Sequence, residues 1–193
     1  MIPGDSDAEM MARVKRGDRA AFRTLVDRHQ RMVINTIYRS IGDSWEAEDL
    51  AQRVFVQVYR AARRYQPTAK FTTWLFTIVH NTVLNEYRRR SRHTTESFEA
   101  LTQPADGESG RLGIADTTVT DPSEQAALRE LRGRIHTAVE RLPAQQRTAV
   151  ILCRYEGQSY EEVAEVLRCS VVAVKSLLHR ARMTLKEDLR GFY

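Results

Sequence analysis

Two sets of polar residues recur at helical spacing in this chain, and both suit contact with nucleic acid. Near the C-terminus, Lys175, His179 and Arg182 fall at i, i+4 and i+7, on one helix face, with Ser176 and Arg180 beside them. Lysine and arginine meet phosphates and guanine edges, and serine adds a short hydrogen bond. Earlier, Asn81, Asn85 and Arg88 repeat the same spacing, and Arg89 and Arg90 extend the arginine run. Amides near the rings of Tyr65, Phe71, Trp74, Phe76 and Tyr87 suit edge recognition and stacking of unpaired bases; the arginines suit the backbone. Each set has a plainer reading. A basic helix face can be solvated surface, and Phe71 and Trp74 at helical spacing suit a core better than a stacking platform. For Tyr65 and Phe76 the two readings stand level.

A third cluster, Glu46, Glu48, Asp49 and Gln52, opens a different helix. Acids there complement the positive end of the helix dipole. They do not suit DNA, but they could dock a basic protein partner. Enzymatic chemistry has no support. There is no metal-ligand cluster, glycine-rich phosphate loop or paired nucleophile and base, so neither catalysis nor a cofactor is expected. His29, His80 and His93 are scattered and read as structural or solvated. Cys153 and Cys169 are too few for a disulfide framework or a zinc site, which points to a reducing cytosol. In its turn, Cys169 reads as a packing thiol before a redox centre.

The elements that must position these residues are helical. Asp18 suits an N-cap before Phe22, Leu25, Val26, His29, Val33 and Ile37, which recur at threes and fours. Gly42-Asp43-Ser44 breaks that pattern. A helix from Trp45 to about Ala62 carries the stripe Leu50, Val54, Phe55 and Val58. Pro67 makes Tyr65 to Thr68 a loop. A third helix runs from about Phe71 to Arg90 and buries Trp74, Leu75, Ile78, Val79 and Thr82. Residues 91–123 lose the apolar period and are rich in turn formers, as in Gln103 to Gly110 and Thr117 to Pro122; they predict a flexible linker.

Helical signals then return. Pro143 suits a first turn, Gly157 a C-terminal cap, and Ser159 with Glu162 a capping box. Val163, Ala164, Val166 and Leu167 follow, then a break at Arg168-Cys169-Ser170. Ser170 can cap a last helix with Val171, Val174, Leu178, Ala181 and Leu185 on one stripe. A capped short helix, a three-residue turn and a second helix make a helix-turn-helix. Strand-like alternation is absent. The expected fold is all-α, with two small helical domains, 1–90 and 124–193, joined by the linker 91–123.

Composition agrees. The chain has 193 residues, 42% of them hydrophobic, enough to build a core. Its net charge of +5 is unevenly spread, with two basic blocks flanking an acidic linker. Basic blocks attract polyanions, although ordinary solubility explains the total equally well. No apolar run reaches the roughly 18 residues of a membrane-spanning helix, so no membrane insertion is expected. The N-terminal residues through Arg16 lack the apolar stretch of a secretory signal.

At this point the motifs resemble a known family. Asp49-Leu50-Ala51-Gln52-Arg53-Val54-Phe55-Val56-Gln57-Val58-Tyr59 resembles region 2.2 of bacterial sigma factors. Phe71-Thr72-Thr73-Trp74-Leu75-Phe76-Thr77-Ile78-Val79-His80-Asn81 resembles region 2.3 running into 2.4, and Leu142-Pro143 through Leu185 resembles region 4. With only regions 2 and 4, the chain is similar to an extracytoplasmic function (ECF) sigma factor across nearly all of residues 10–190 outside the linker.

The resemblance implies a cytoplasmic, non-enzymatic factor that binds core RNA polymerase and directs promoter-specific initiation, with an anti-sigma factor as a further partner. It implies that Asp49, Gln52 and Arg53 dock on the clamp helices of the β′ subunit, and that region 4 meets the β flap. Asn81 would lie against an extruded base of the −10 element, Tyr65 and Phe76 would form its pocket, and Arg88 and Arg89 would hold the backbone, with Asn85 on the same stripe. Lys175, Ser176, His179 and Arg180 would read the −35 element in the major groove, with Arg182 on that face. The acidic linker would thread through polymerase near the RNA exit path. Three departures stand out. Arg53 replaces a common acid, Val172-Ala173-Val174-Lys175 replaces a glycine-threonine-valine-basic start, and His179 replaces an aromatic or aliphatic residue.

Two other readings make distinct predictions. A helix-turn-helix repressor would carry a ligand pocket or dimer face in residues 1–90 and bind duplex tightly without polymerase. An enzyme acting on nucleic acid would need a reactive constellation that the sequence lacks.

Overall fold

The computed structural model describes residues 6–96 and 122–190. Eight α-helices form among them: α1 (Ser6–Lys15), α2 (Arg19–Ile41), α3 (Ser44–Ala61), α4 (Phe71–Glu96), α5 (Pro122–Arg141), α6 (Ala144–Arg154), α7 (Tyr160–Leu167) and α8 (Val171–Asp188). One 3-10 turn, Ala62–Arg64, follows α3, and the described residues contain no strand. The all-α expectation is met.

Local chemistry sets the boundaries of the first half. The Asp18 carboxylate accepts from the Ala21 N–H at 3.0 Å and pairs with Arg13 at 2.7 Å, so one side chain starts α2 and ties it to the end of α1. That hydrogen bond to the Ala21 amide is the main reason the Asp18 carboxyl titrates below its ordinary range. The break at Gly42-Asp43-Ser44 is two caps back to back. Gly42, at φ +84°, ends α2 by donating to the Tyr38 carbonyl at 2.8 Å, and Asp43 starts α3 by accepting from the Glu46 N–H at 2.9 Å. The left-handed φ is what demands a glycine there. Met11, Leu25, Val33, Ile37, Leu50, Val54, Phe71 and Leu75 fill the core between these helices. Ala8, Met11 and Val14 give α1 a narrow buried stripe that its polar composition conceals.

The second half also follows its caps. Pro143 stands at the N-cap of α6, and both halves of the capping box are made at α7: Glu162 N–H to Ser159 Oγ at 3.2 Å and Ser159 N–H to Glu162 Oε2 at 2.7 Å. Arg168, at φ +52°, closes α7, and the Cys169 N–H bonds back to Ala164 O at 3.0 Å. The left-handed residue of the turn is therefore Arg168, and Cys169 instead packs half-buried against the apolar cluster. Ser170 caps α8 by accepting from the Ala173 N–H at 3.1 Å.

The ends of the expected linker shift. Helix α4 continues past Arg90 to Glu96 and α5 begins at Pro122, so helices enter both ends of the expected linker. The turn formers Gln103 to Gly110 and Thr117 to Asp121 lie outside the described residues. The two halves pack on one another: α4 packs on α7, and α2 packs on α5 and α6. Phe76, on α4, is buried among Ala149, Leu152, Val163 and Ala164 of the second half, and Met32 touches both clusters.

Candidate nucleic-acid interface

Helix α8 is held by its apolar stripe. Val174 and Ala181 are fully buried, and Leu178 and Leu185 pack half-buried beside them. Its other face carries Lys175, Ser176, His179, Arg180 and Arg182, all exposed. The first turn of α8 has no acid to repel phosphate. This is the arrangement a reading helix needs: an apolar seam for docking and a polar face left to solvent.

Helix α4 is divided three ways. Leu75, Val79 and Val83 face the first core, and Phe76 faces the second half. Asn81, Asn85 and Arg88 form an exposed stripe. The three arginines are not equivalent. Arg89 pairs with the buried carboxylate of Glu86 at 2.6 Å, and Arg90 pairs with Glu46. Arg88 has no acidic partner among the described residues, so it is the arginine freest for a phosphate.

Tyr65 and Phe76 require correction. Both were expected in a pocket for an extruded base, and both are buried here, at 4% and 1% exposure. Tyr65 meets Trp74 edge-on at 4.8 Å, where it closes the first core beneath the loop before α4. Phe71 is buried and Trp74 half-buried, as their spacing suggested.

On α3, Asp49, Gln52 and Arg53 are exposed, and Arg53 pairs with Asp49 at 2.7 Å. The departure at Arg53 thus neutralises the neighbouring acid. The sequence reading missed Trp45, Val56 and Tyr59, which are 84%, 48% and 45% exposed. With Asp49 and Gln52 they step by four, three, four and three, the seam of a helix that packs on another helix. That spacing was the available signal.

A groove of about 990 Å³ opens between α6, α7 and α8. Val150, Leu178 and Leu185 line its floor, and Arg154, Lys186 and Arg190 stand at its edge. Cys153 also lines it, and burial pushes that thiol above its usual pKa, which favours the unreactive form. Among the described residues no cluster of acids, histidines and cysteines is arranged to hold a metal ion. No helix of the described chain is long and apolar enough to cross a membrane.

Comparison with known proteins agrees with this geometry. Residues 25–93 match sigma-70 region 2, and residues 132–185 match sigma-70 region 4. The RNA polymerase sigma-H factor of Pseudomonas aeruginosa is 34% identical over 191 residues, covering 98% of this chain and 97% of that protein. The ECF RNA polymerase sigma-E factor of Escherichia coli is 32% identical over 185 residues, covering 96% and 95%. Among solved structures, CnrH in complex with the cytosolic domain of CnrY aligns with a TM-score of 0.69 at 25% identity, covering 98% of this chain and all of that one. The sigma factor RpoE of Bartonella quintana, solved with the anti-sigma factor NepR, has the same fold at a TM-score of 0.67 and 23% identity, covering 89% and 98%. The chain belongs to the ECF group of the sigma-70 family, whose members are non-enzymatic transcription initiation factors.

Proposed function

We propose that this protein binds core RNA polymerase in the cytoplasm and directs it to promoters by opening the −10 element and reading the −35 element. The observation that carries this reading is that two exposed polar faces of different chemistry lie on different halves of one chain. The α8 face is basic and sized for a major groove, and the α4 stripe pairs amides with a free arginine. In this reading residues 1–90 form the −10 module and residues 124–193 the −35 module, and 91–123 connect them. Asn81 and Asn85 meet bases of the melted strand, and Arg88, supported by Arg89, holds its backbone. Lys175, Ser176, His179, Arg180 and Arg182 read and grip the upstream duplex.

The α3 stripe around Asp49, Gln52 and Arg53 docks on the clamp helices of the β′ subunit, and the α6–α8 groove takes the β flap. Neither half makes enough contacts for tight specific binding alone, because a single mismatched base pair costs only about 1–3 kcal/mol. Fixing both halves on polymerase raises the effective concentration of the second contact. An anti-sigma factor restrains the protein; two solved relatives of this fold, each recorded with a bound partner, support that part of the reading.

The test is transcription from a randomised promoter library with purified core polymerase. Transcripts starting downstream of a common two-part sequence are expected. Isolated protein should bind duplex weakly, with affinity falling steeply as salt rises. Tight, sequence-specific duplex binding that ignores polymerase would instead establish a repressor.

A further inference from the structure

We propose that Val172 selects a thymine in the upstream promoter element by packing against the 5-methyl group of that base in the major groove. This deepens the sigma-factor reading above and rests on it. Val172 lies in the first turn of α8 and is 75% exposed. A lone apolar side chain on a surface is ordinary. Its position here is not, because it stands on the midline of the face that carries Lys175, Ser176, His179, Arg180 and Arg182.

Helix geometry fixes that midline. Each residue of an α-helix turns by about 100°. Ala181 follows Val172 by nine residues, about two and a half turns, and so faces the opposite side. Ala181 is fully buried, as is Val174 beside it, so the docked stripe of α8 lies directly behind Val172. In front, Val172, Ser176, His179 and Met183 step by four, three and four and run down one line, all exposed. The cations flank this line, Lys175 and Arg182 on one side and Arg180 on the other. A helix laid in a major groove about 12 Å wide presents its midline to the base edges and its flanks to the phosphate walls.

The first turn matters most, because the N-terminal residues of a reading helix are the ones that contact base edges. Ser170 holds this turn in place by accepting from the Ala173 N–H at 3.1 Å. Valine offers a base edge no hydrogen bond, only apolar surface. The one apolar group that the major groove presents is the thymine methyl. Against the donors and acceptors of the other edges, Val172 would displace water without replacing its hydrogen bonds. The side chain therefore favours thymine by contact and opposes the alternatives by desolvation.

The test uses holoenzyme assembled from core polymerase and the full-length chain, on the promoter recovered from the randomised library. The upstream element should contain a thymine at which deoxyuridine, which lacks only the methyl, lowers holoenzyme affinity about fourfold, as expected for one buried methyl. Val172→Ala should lose about the same factor on the thymine promoter and be indifferent to uracil. Its melting temperature should stay at the wild-type value, because the side chain is already exposed. Wild type that tolerates uracil at every thymine of the upstream element overturns the proposal. So does an upstream element with no thymine on either strand. So does a Val172→Ala variant that still loses about fourfold with uracil, which would assign the methyl to another side chain. Promoter-specific initiation by wild type is scored separately. A two-part promoter without methyl dependence sinks this inference alone, whereas a chain that initiates nowhere sinks the sigma reading and this inference with it.

Discussion

Arg168 sits at φ +52° with no glycine to ease it, at the tightest point of the helix-turn-helix. A left-handed backbone costs an L-residue roughly 1–2 kcal/mol, part of which glycine returns as chain entropy in the unfolded state. Arg168→Gly should therefore stabilise the protein by about 0.5–1 kcal/mol, read as a higher midpoint in urea with an unchanged slope. Asn81 lies on the exposed stripe, away from both cores. Asn81→Ala should reduce open-complex formation about tenfold or more, by the discrimination typical of one base contact, while polymerase binding and the melting temperature stay at wild-type values. A fall in both would make Asn81 structural. The caps were readable at this scale because each depends on one side chain and one nearby amide, as at Asp18, Ser159 and Ser170. The fate of Phe76 was not. Its spacing says that it is buried but not by which half of the chain.

Helices were legible where their apolar period was wide and their ends were punctuated. α2, α7 and α8 have those features and begin at the residues that the caps named, and α3 begins within one residue of the expected Trp45, just after the break. α1 escaped notice because three small or flexible apolar residues among charges make a stripe too thin to stand out from a solvated segment. The end of α4 was placed at Arg90 because the sequence turns polar there; a polar helix still continues while backbone bonds are satisfied. The exposed seam of α3 gives a prediction about an element. Trp45 is 84% exposed, so Trp45→Ala should leave thermal stability within about 0.5 kcal/mol of wild type. It should weaken binding to core polymerase about tenfold or more if Trp45 anchors the docking helix, as buried tryptophans at interfaces do. Equal binding by the variant, measured by fluorescence anisotropy, would remove this end of α3 from the contact.

Across the whole molecule, the sequence predicted two modules on a tether and the structure packs them together. No local pattern encodes that contact. Thr36 and Glu156, or Lys70 and Glu162, meet across the fold without any periodic trace in the chain. His80 makes the seam sensitive to acid. Burial lowers its pKa from the ordinary 6.5, so the imidazole is held neutral and donates to Thr148. A depressed pKa means that this contribution is complete above 6.5 and drains away as pH falls through the lower folded value, because the exposed ring takes up a proton first. Thermal midpoints at pH 7.5 and 5.5 should differ more for wild type than for His80→Gln; an identical difference would exclude this histidine as the cause.

Cys153 and Cys169 rest against the same apolar cluster that receives Phe76 and Met32 from the other half. They therefore act as native reporters of that half. A maleimide should alkylate Cys169, which packs on that cluster, more slowly than an exposed thiol, and Cys153, which lines the groove assigned to the β flap, more slowly still once core polymerase fills it.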